Sequence, residues 1–452
     1  MIRHLPLALA LSLPLHAAEP SFEWLAFGGG VKNDKIRAVT LDREGNALLA
    51  GEATGEVAFA GKKYQGAGAM DVVVAKVGVD GAVQWLSGFG GSLTDRAYGV
   101  VSDAAGNVYI TGHYESTDAV VAGEPLPNAG GYDIYVAKYS PTGDLLWLRT
   151  AGGAGYDYGH GIAVDGKGDV VVSGAVLGEA RFGSTVVNAG STSRAVFCAK
   201  YDADGQLKWV RASEGRVYGS GHGVAVDGQG CIYIGGNGSG SGKIGSHVLE
   251  LGARSSLVIK LTSDGEPVWV ASHPGPGFHE ITVDAAGRVW GAGMFKDSAT
   301  VGGETFKSTG PKDSDGILCH YNIEGKLQWA RVLSGPGTDY CLGVATDGTG
   351  RAFVTGEYTA TATFAGRTLN SRGATDIYVA AFDEAGQLEW LIDNGGPKGD
   401  NAYTIVWHPS GRLVIGGSCN AGAEFGKQVM DGTGGYEAYG AVLRLPAAKA
   451  GR

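Results

Sequence analysis

Two histidines and a carboxylate, His160, His222 and Glu280, stand at the start of three successive apolar runs, with His279 beside the last. Two imidazoles and one carboxylate can hold zinc or ferrous iron and leave positions open for water or substrate. Around them, the position that opens each such run reads Arg37, Tyr98, His160, His222, Glu280, Leu342 and Tyr403. This set is mostly polar and varies from copy to copy, as a binding site does. A residue repeated in every copy serves the fold instead. The competing reading is packing between neighbouring strands, because the parity matches the apolar Ile162 and Val164. We expect Arg37, Tyr98, His160, His222, Glu280 and Tyr403 to line a binding site at the mouth of a channel. His160, His222 and Glu280 are its metal candidates, although the main expectation is no resident cofactor.

Other patterns carry less chemistry. Asp34, Asp95, Asp157, Asp339 and Asp400 recur in glycine-rich loops, with Gly219 and Pro276 in the two remaining copies. An aspartate in a tight turn accepts nearby backbone N–H groups. Strand alternation brings these loops to the same face as Asp71, Asp133, Asp315, Asp376 and Glu437, so two acidic rings can also offer a cation site. GNGSGSGKIG, ending at Gly245, has Asn237 where a phosphate loop needs its first glycine and Ile244 where a hydroxyl must reach magnesium. It reads as a flexible surface connection. Cys198, Cys231, Cys319, Cys341 and Cys419 lack CxxC spacing and sit in apolar runs, as small buried side chains do. Tyr156, Tyr158, Tyr218 and Tyr340 fall in the loops, where they offer amphipathic contact surface.

Tryptophan reveals the elements that must position these residues. Trp24, Trp85, Trp147, Trp209, Trp269, Trp329 and Trp390 are spaced 61, 62, 62, 60, 60 and 61 residues apart. Ahead of all but the first lies a turn such as VDGAVQW or PTGDLLW. After each comes a glycine-rich loop, an apolar run ending in a turn such as AVDGKGD, and a run such as DIYVAKY. Each copy therefore supplies four short strands, and repeats of this length predict an all-β fold, a seven-bladed β-propeller of four-stranded blades. The chain starts on FEWLAF, a fourth strand without its first three, and finishes on YGAVLRLP, a third strand without its fourth. The N-terminal strand should therefore complete the last blade and cover an edge open to aggregation. Glycine, 79 of 452 residues, argues against helix.

Residues 1–18 read as a secretory signal, with Arg3 and His4 before an apolar stretch and small residues at its end. Residues 19–446 form the propeller and 447–452 a tail. The net charge of −10 argues against nucleic acid, which needs a cationic footprint. No later run is long enough to span a membrane. A secreted or periplasmic monomer is expected.

The pattern GG-x-G-x-D, IAVD-x-x-GNVY-x-TG, D-x-Y-VAKY and G-x-L-x-W resembles the bacterial secreted β-propeller repeat family. It is met almost in full at residues 90–147 and 152–209. The resemblance implies the fold and little about activity, since one fold hosts many functions. The expected function is an exported, non-catalytic scaffold for a protein or glycan partner. The alternative is a metal-dependent hydrolase or lyase acting on an extracellular polymer, with its site at the channel mouth.

Overall fold

The computed structural model describes residues 19–446 apart from 31, 60, 191, 192, 311, 312, 433 and 434. The expected signal segment and C-terminal tail lie outside these residues. The described chain is built of β-strands, mostly antiparallel. One repeat shows how the sequence makes them. Tyr158–Val164 pairs with Val170–Leu177, which pairs with Arg194–Tyr201, which pairs with Leu207–Ala212. The sharp turn after the first strand is set by Asp165, whose Oδ1 accepts the N–H groups of Lys167 and Asp169 at 2.8 and 3.0 Å. Lys200 on the third strand then reaches Asp165 Oδ2 at 2.7 Å, both side chains buried, and ties the turn to the sheet.

The innermost strands of successive repeats are Lys35–Leu41, Asp95–Ser102, Tyr158–Val164, Glu214–Val226, Gly277–Val283, Tyr340–Thr346 and Asn401–His408. Each packs against the next, and the last packs against the first. This propeller-like arrangement needs close backbone approach. A Cβ at Gly161 would lie 2.6 Å from Val224 N on the neighbouring inner strand. At the other end of the sequence order, Ser21–Gly29 pairs antiparallel with Glu437–Arg444. Glu23 secures that junction through Arg412 at 2.6 Å and Arg444 at 2.5 Å.

The periodic tryptophans clamp one repeat to the next. Trp147 Nε1 donates to Ala203 O at 3.1 Å, and Trp85, Trp269 and Trp329 make the same bond to Pro141, Ile323 and Glu384. The ring also lies flat on the following turn. Gly205 adopts φ 77°, and a Cβ there would come within 2.9 Å of Trp147 Cδ2.

One expectation about the loops is corrected. GNGSGSGKIG is no flexible connection but part of the continuous strand Ile232–Ile244, paired on both sides. Its alternating small residues let Glu214–Val226 and His247–Leu261 run long beside it. All five cysteines are free thiols, four of them buried.

Candidate functional site

Every inner strand carries a β-bulge. The pairing register slips between Ile36 and Ala38, Ala97 and Gly99, Gly159 and Gly161, and Gly221 and Gly223. It slips likewise between Phe278 and Glu280, Cys341 and Gly343, and Ala402 and Thr404. A bulge leaves one residue unpaired and re-aims its side chain. Those residues are Arg37, Tyr98, His160, His222, His279, Leu342 and Tyr403.

The fifth member differs from the expected one: His279, not Glu280, occupies the bulge. Glu280 sits where other strands carry Gly161 and Gly223, because the slip places the extra residue before it. The spacing to the turn Asp284 matches His279, and that was the available sequence signal. Glu280 Oε1 accepts the Ile281 N–H at 3.0 Å. The same oxygen lies over Gly223, where a Cβ would come within 2.6 Å.

Four of the bulged side chains, Tyr98, His160, His222 and His279, form a continuous aromatic row. His160 and His222 have ring centroids 4.8 Å apart, and His222 and His279 5.7 Å. Tyr98 meets His160 edge-on at 4.8 Å and stacks on His113 at 5.2 Å. His113 stacks in turn on Tyr132 at 4.6 Å. The Arg37 guanidinium lies over Tyr98 and Tyr403, at 5.2 and 5.5 Å. Buried Glu52 fixes it there, accepting from Arg37 Nη2 at 2.8 Å, and its other oxygen forms an ion pair with Arg96 at 3.1 Å.

Behind this row is a cavity of about 250 Å³, lined by His160, His222 and Glu280 together with residues of every inner strand. The enclosing protein withdraws water from these groups. Desolvation, reinforced by the nearby His113 and Arg194, pushes His160 down to about 3. Desolvation, reinforced by His160, His279 and Arg194, likewise holds His222 well below its ordinary value. Burial raises the Glu280 carboxyl to about 7. The site thus holds neutral imidazoles at physiological pH beside a carboxyl poised to exchange its proton. Among the described residues, no three His, Cys, Asp or Glu side chains are arranged to hold a metal ion.

The loop acids are turn acceptors that also bridge units. Asp157 accepts the Gly153 and Leu177 N–H groups, each at 2.8 Å. Its own N–H donates to Tyr132 O of the preceding unit at 2.8 Å. Asp133 lies beside it, and a Cβ on Gly152 would lie 2.0 Å from Asp133 Oδ1 and 3.2 Å from Asp157 Oδ2. The two acidic rings are therefore adjacent carboxyl pairs, one across each junction that carries them.

Sequence reasoning missed His113, Glu52, Asn237, Arg194 and Arg254. The first three enter by cross-strand pairing: Arg96 faces His113, Lys35 faces Glu52, and Ser220 faces Asn237. Tyr158 joins the aromatic cluster, 5.1 Å from His113, while Tyr156 and Tyr218 remain exposed.

Comparison with known proteins adds little about chemistry. No protein-family profile matches the chain. An uncharacterized WD repeat-containing protein of Acanthamoeba polyphaga mimivirus is 27% identical over 195 residues, 36% of this chain and 14% of that protein. The regulatory protein FlaEY of Caulobacter vibrioides is 28% identical over 144 residues, 30% of this chain and 15% of its own length. The chain thus spans only a small part of these relatives. Among solved structures, quinohemoprotein alcohol dehydrogenase from Comamonas testosteroni aligns with TM-score 0.38 and 11% identity, covering 94% of this chain and 78% of that one. The Pan2 WD40 domain of Neurospora crassa aligns with TM-score 0.39 and 9% identity, covering 78% and 90%. A gluconolactonase of Xanthomonas campestris gives TM-score 0.36 and 15% identity, covering 95% and 98%. No described helix is long and apolar enough to cross a membrane.

Proposed function

We propose that this chain is a seven-bladed β-propeller acting as an exported binding scaffold, with its ligand, a glycan or protein, seated at the channel mouth. The observation that carries the reading is the bulged row itself. At this one position the inner strands of a repeated design carry an arginine, two tyrosines, three histidines and a leucine, and the polar members gather as a His, Tyr and Arg surface over one cavity. Repetition serves the fold, and variation confined to one position serves recognition. Tyrosine and arginine are the side chains that anchor interfaces most often. Export rests on the character of residues 1–18.

The test is a glycan array and an envelope pull-down with the mature chain, repeated with Tyr98→Ala and His160→Ala. Capture of a ligand by the parent and its loss in both variants is the expected result. Capture undiminished in both variants would remove the channel mouth from the function. Cell fractionation tests export, and retention in the cytoplasm would refute it.

A second reading is favoured by Glu280 alone, whose carboxyl near 7 suits proton transfer beside two neutral imidazoles. It is the metal-dependent hydrolase or lyase, in which His160 and His222 would share the ion with substrate oxygens. Turnover of a polymeric substrate that survives His160→Ala combined with His222→Ala would sink it.

A further inference from the structure

The acid pairs break their pattern in one place. Asp71 with Asp95, Asp133 with Asp157, Asp315 with Asp339, Asp376 with Asp400, and Glu437 with Asp34 each straddle a junction between units. At the two junctions flanking the unit that starts with Glu214–Val226, both acids are missing: Ala195 faces Gly219, and Ser255 faces Pro276. The residue just before each missing third-strand acid is an arginine, Arg194 and Arg254. No other copy has one there; the equivalents are Met70, Tyr132, Ser314, Thr375 and Tyr436. One sector of the mouth has therefore exchanged four carboxyls for two guanidinium groups.

Neither arginine is neutralised. Arg194 donates Nε to Gly219 O at 3.2 Å and lies over the Tyr218 ring at 4.6 Å and the Tyr158 ring at 5.8 Å. Arg254 Nη2 contacts the Met294 sulfur at 3.3 Å. Neither forms an ion pair with a described carboxylate, whereas Arg37 and Arg96 share Glu52. His222 belongs to the same sector, with Nε2 3.0 Å from Asn237 Nδ2. Gly277 keeps the space open beside them: a Cβ there would fall 3.2 Å from Arg254 Nη2 and 3.4 Å from Asn237 Nδ2. The sector thus gathers two unpaired guanidinium groups with Asn237 and His222, an excess of positive charge on a chain of net charge −10.

We infer that this sector is an anion site for an acidic sugar, the uronate residue of an oligosaccharide, held by Arg194 and Arg254. This rests on the binding function proposed above. A guanidinium fork matches a planar carboxylate in two parallel hydrogen bonds. Asn237 and the neutral His222 supply the uncharged hydrogen-bonding groups that sugar hydroxyls require. Tyr218, 50% exposed, offers an amphipathic face beside Arg194 for the ring of the same or the next sugar.

The test is calorimetric titration of the full mature chain with uronate trisaccharides of α and β linkage, neutral hexose trisaccharides of matching linkage, and inorganic phosphate. We expect one uronate series to bind and the neutral series not to. Binding should weaken as sodium chloride rises from low to high concentration. Arg194→Gln and Arg254→Gln should each reduce affinity at least about ten-fold, a loss of about 1.4 kcal/mol. Arg194→Lys should not restore it, since a lysine keeps the charge without the fork. Circular dichroism and melting of each variant check the fold. Phosphate binding as tightly as the uronates would overturn the sugar assignment, and unchanged affinity in both Arg→Gln variants would overturn the site. Failure of all uronates while a neutral glycan or a protein is captured at the mouth would refute this inference and leave the binding reading standing. Absence of every ligand in both assays would refute both.

Discussion

Replacing Asp133 by Asn should make the protein more stable at neutral pH, an unusual result for a buried acid. Asp133 Oδ2 accepts the Ala129 N–H, but its Oδ1 is buried without a partner. Burial, and then the charge of Asp157, raises its carboxyl from 3.8 to about 6. A raised folded-state value means that the folded protein binds the proton more tightly. The stabilising contribution is therefore complete below pH 3.8 and is lost as the pH rises through about 6. At pH 7.5 the ionised group costs the fold at most about 3 kcal/mol. Asparagine keeps the shape, lets its oxygen retain the Ala129 bond, and turns an N–H toward Asp157 in place of a charge. Urea unfolding at pH 7.5 should show D133N more stable than the parent by about 1–3 kcal/mol. At pH 4 the gap should close, because the parent then carries the proton. A variant less stable at pH 7.5, or a gap of equal size at both values, would refute the reasoning. Calcium that stabilises the parent but not D133N would show that the pair holds a cation, which removes the repulsion on which the estimate rests.

The tryptophan clamp predicts that Gly205→Ala costs more than Gly183→Ala. Both glycines have positive φ, but only Gly205 faces a ring, and a Cβ at Gly183 meets open space. Urea unfolding should place the Gly183 change at about 1–2 kcal/mol and the Gly205 change clearly above it; equal losses would dismiss the clamp. Lys200→Met strands Asp165 inside the protein and should destabilise by about 3 kcal/mol. A loss below 1 kcal/mol would mean that the turn N–H groups alone satisfy that carboxylate. The ring protons of His160 and His222 should show no titration between pH 7 and 5 by NMR, since desolvation holds both below the ordinary 6.5. Depressed histidines stabilise above their unfolded value and lose that contribution as the pH falls through it. Titration near 6.5 would mean that the channel is wet and the imidazoles are ordinary.

Much of this molecule could be read along the chain because its rules are local. Tryptophan spacing, turn aspartates such as Asp165, and the alternation within runs such as DIYVAKY depend on residues a few positions apart. The pairing of Ser21–Gly29 with Glu437–Arg444 joins distant parts of the chain, yet it follows from counting strands in the first and last repeats. The site was only partly visible. The chain marks His160 and His222 as unusual, but a bulge decides which side chain faces the channel, and one residue of slip exchanges Glu280 for His279. His113, Asn237 and Glu52 reach the mouth by pairing with a neighbouring strand. Arg194 and Arg254 reach it from two different units, 60 residues apart in the chain. Those meetings are set by strand pairing and by the packing of inner strands against one another, so the sequence determined the repeat and its turns, and tertiary contact alone decided which polar groups meet at the mouth.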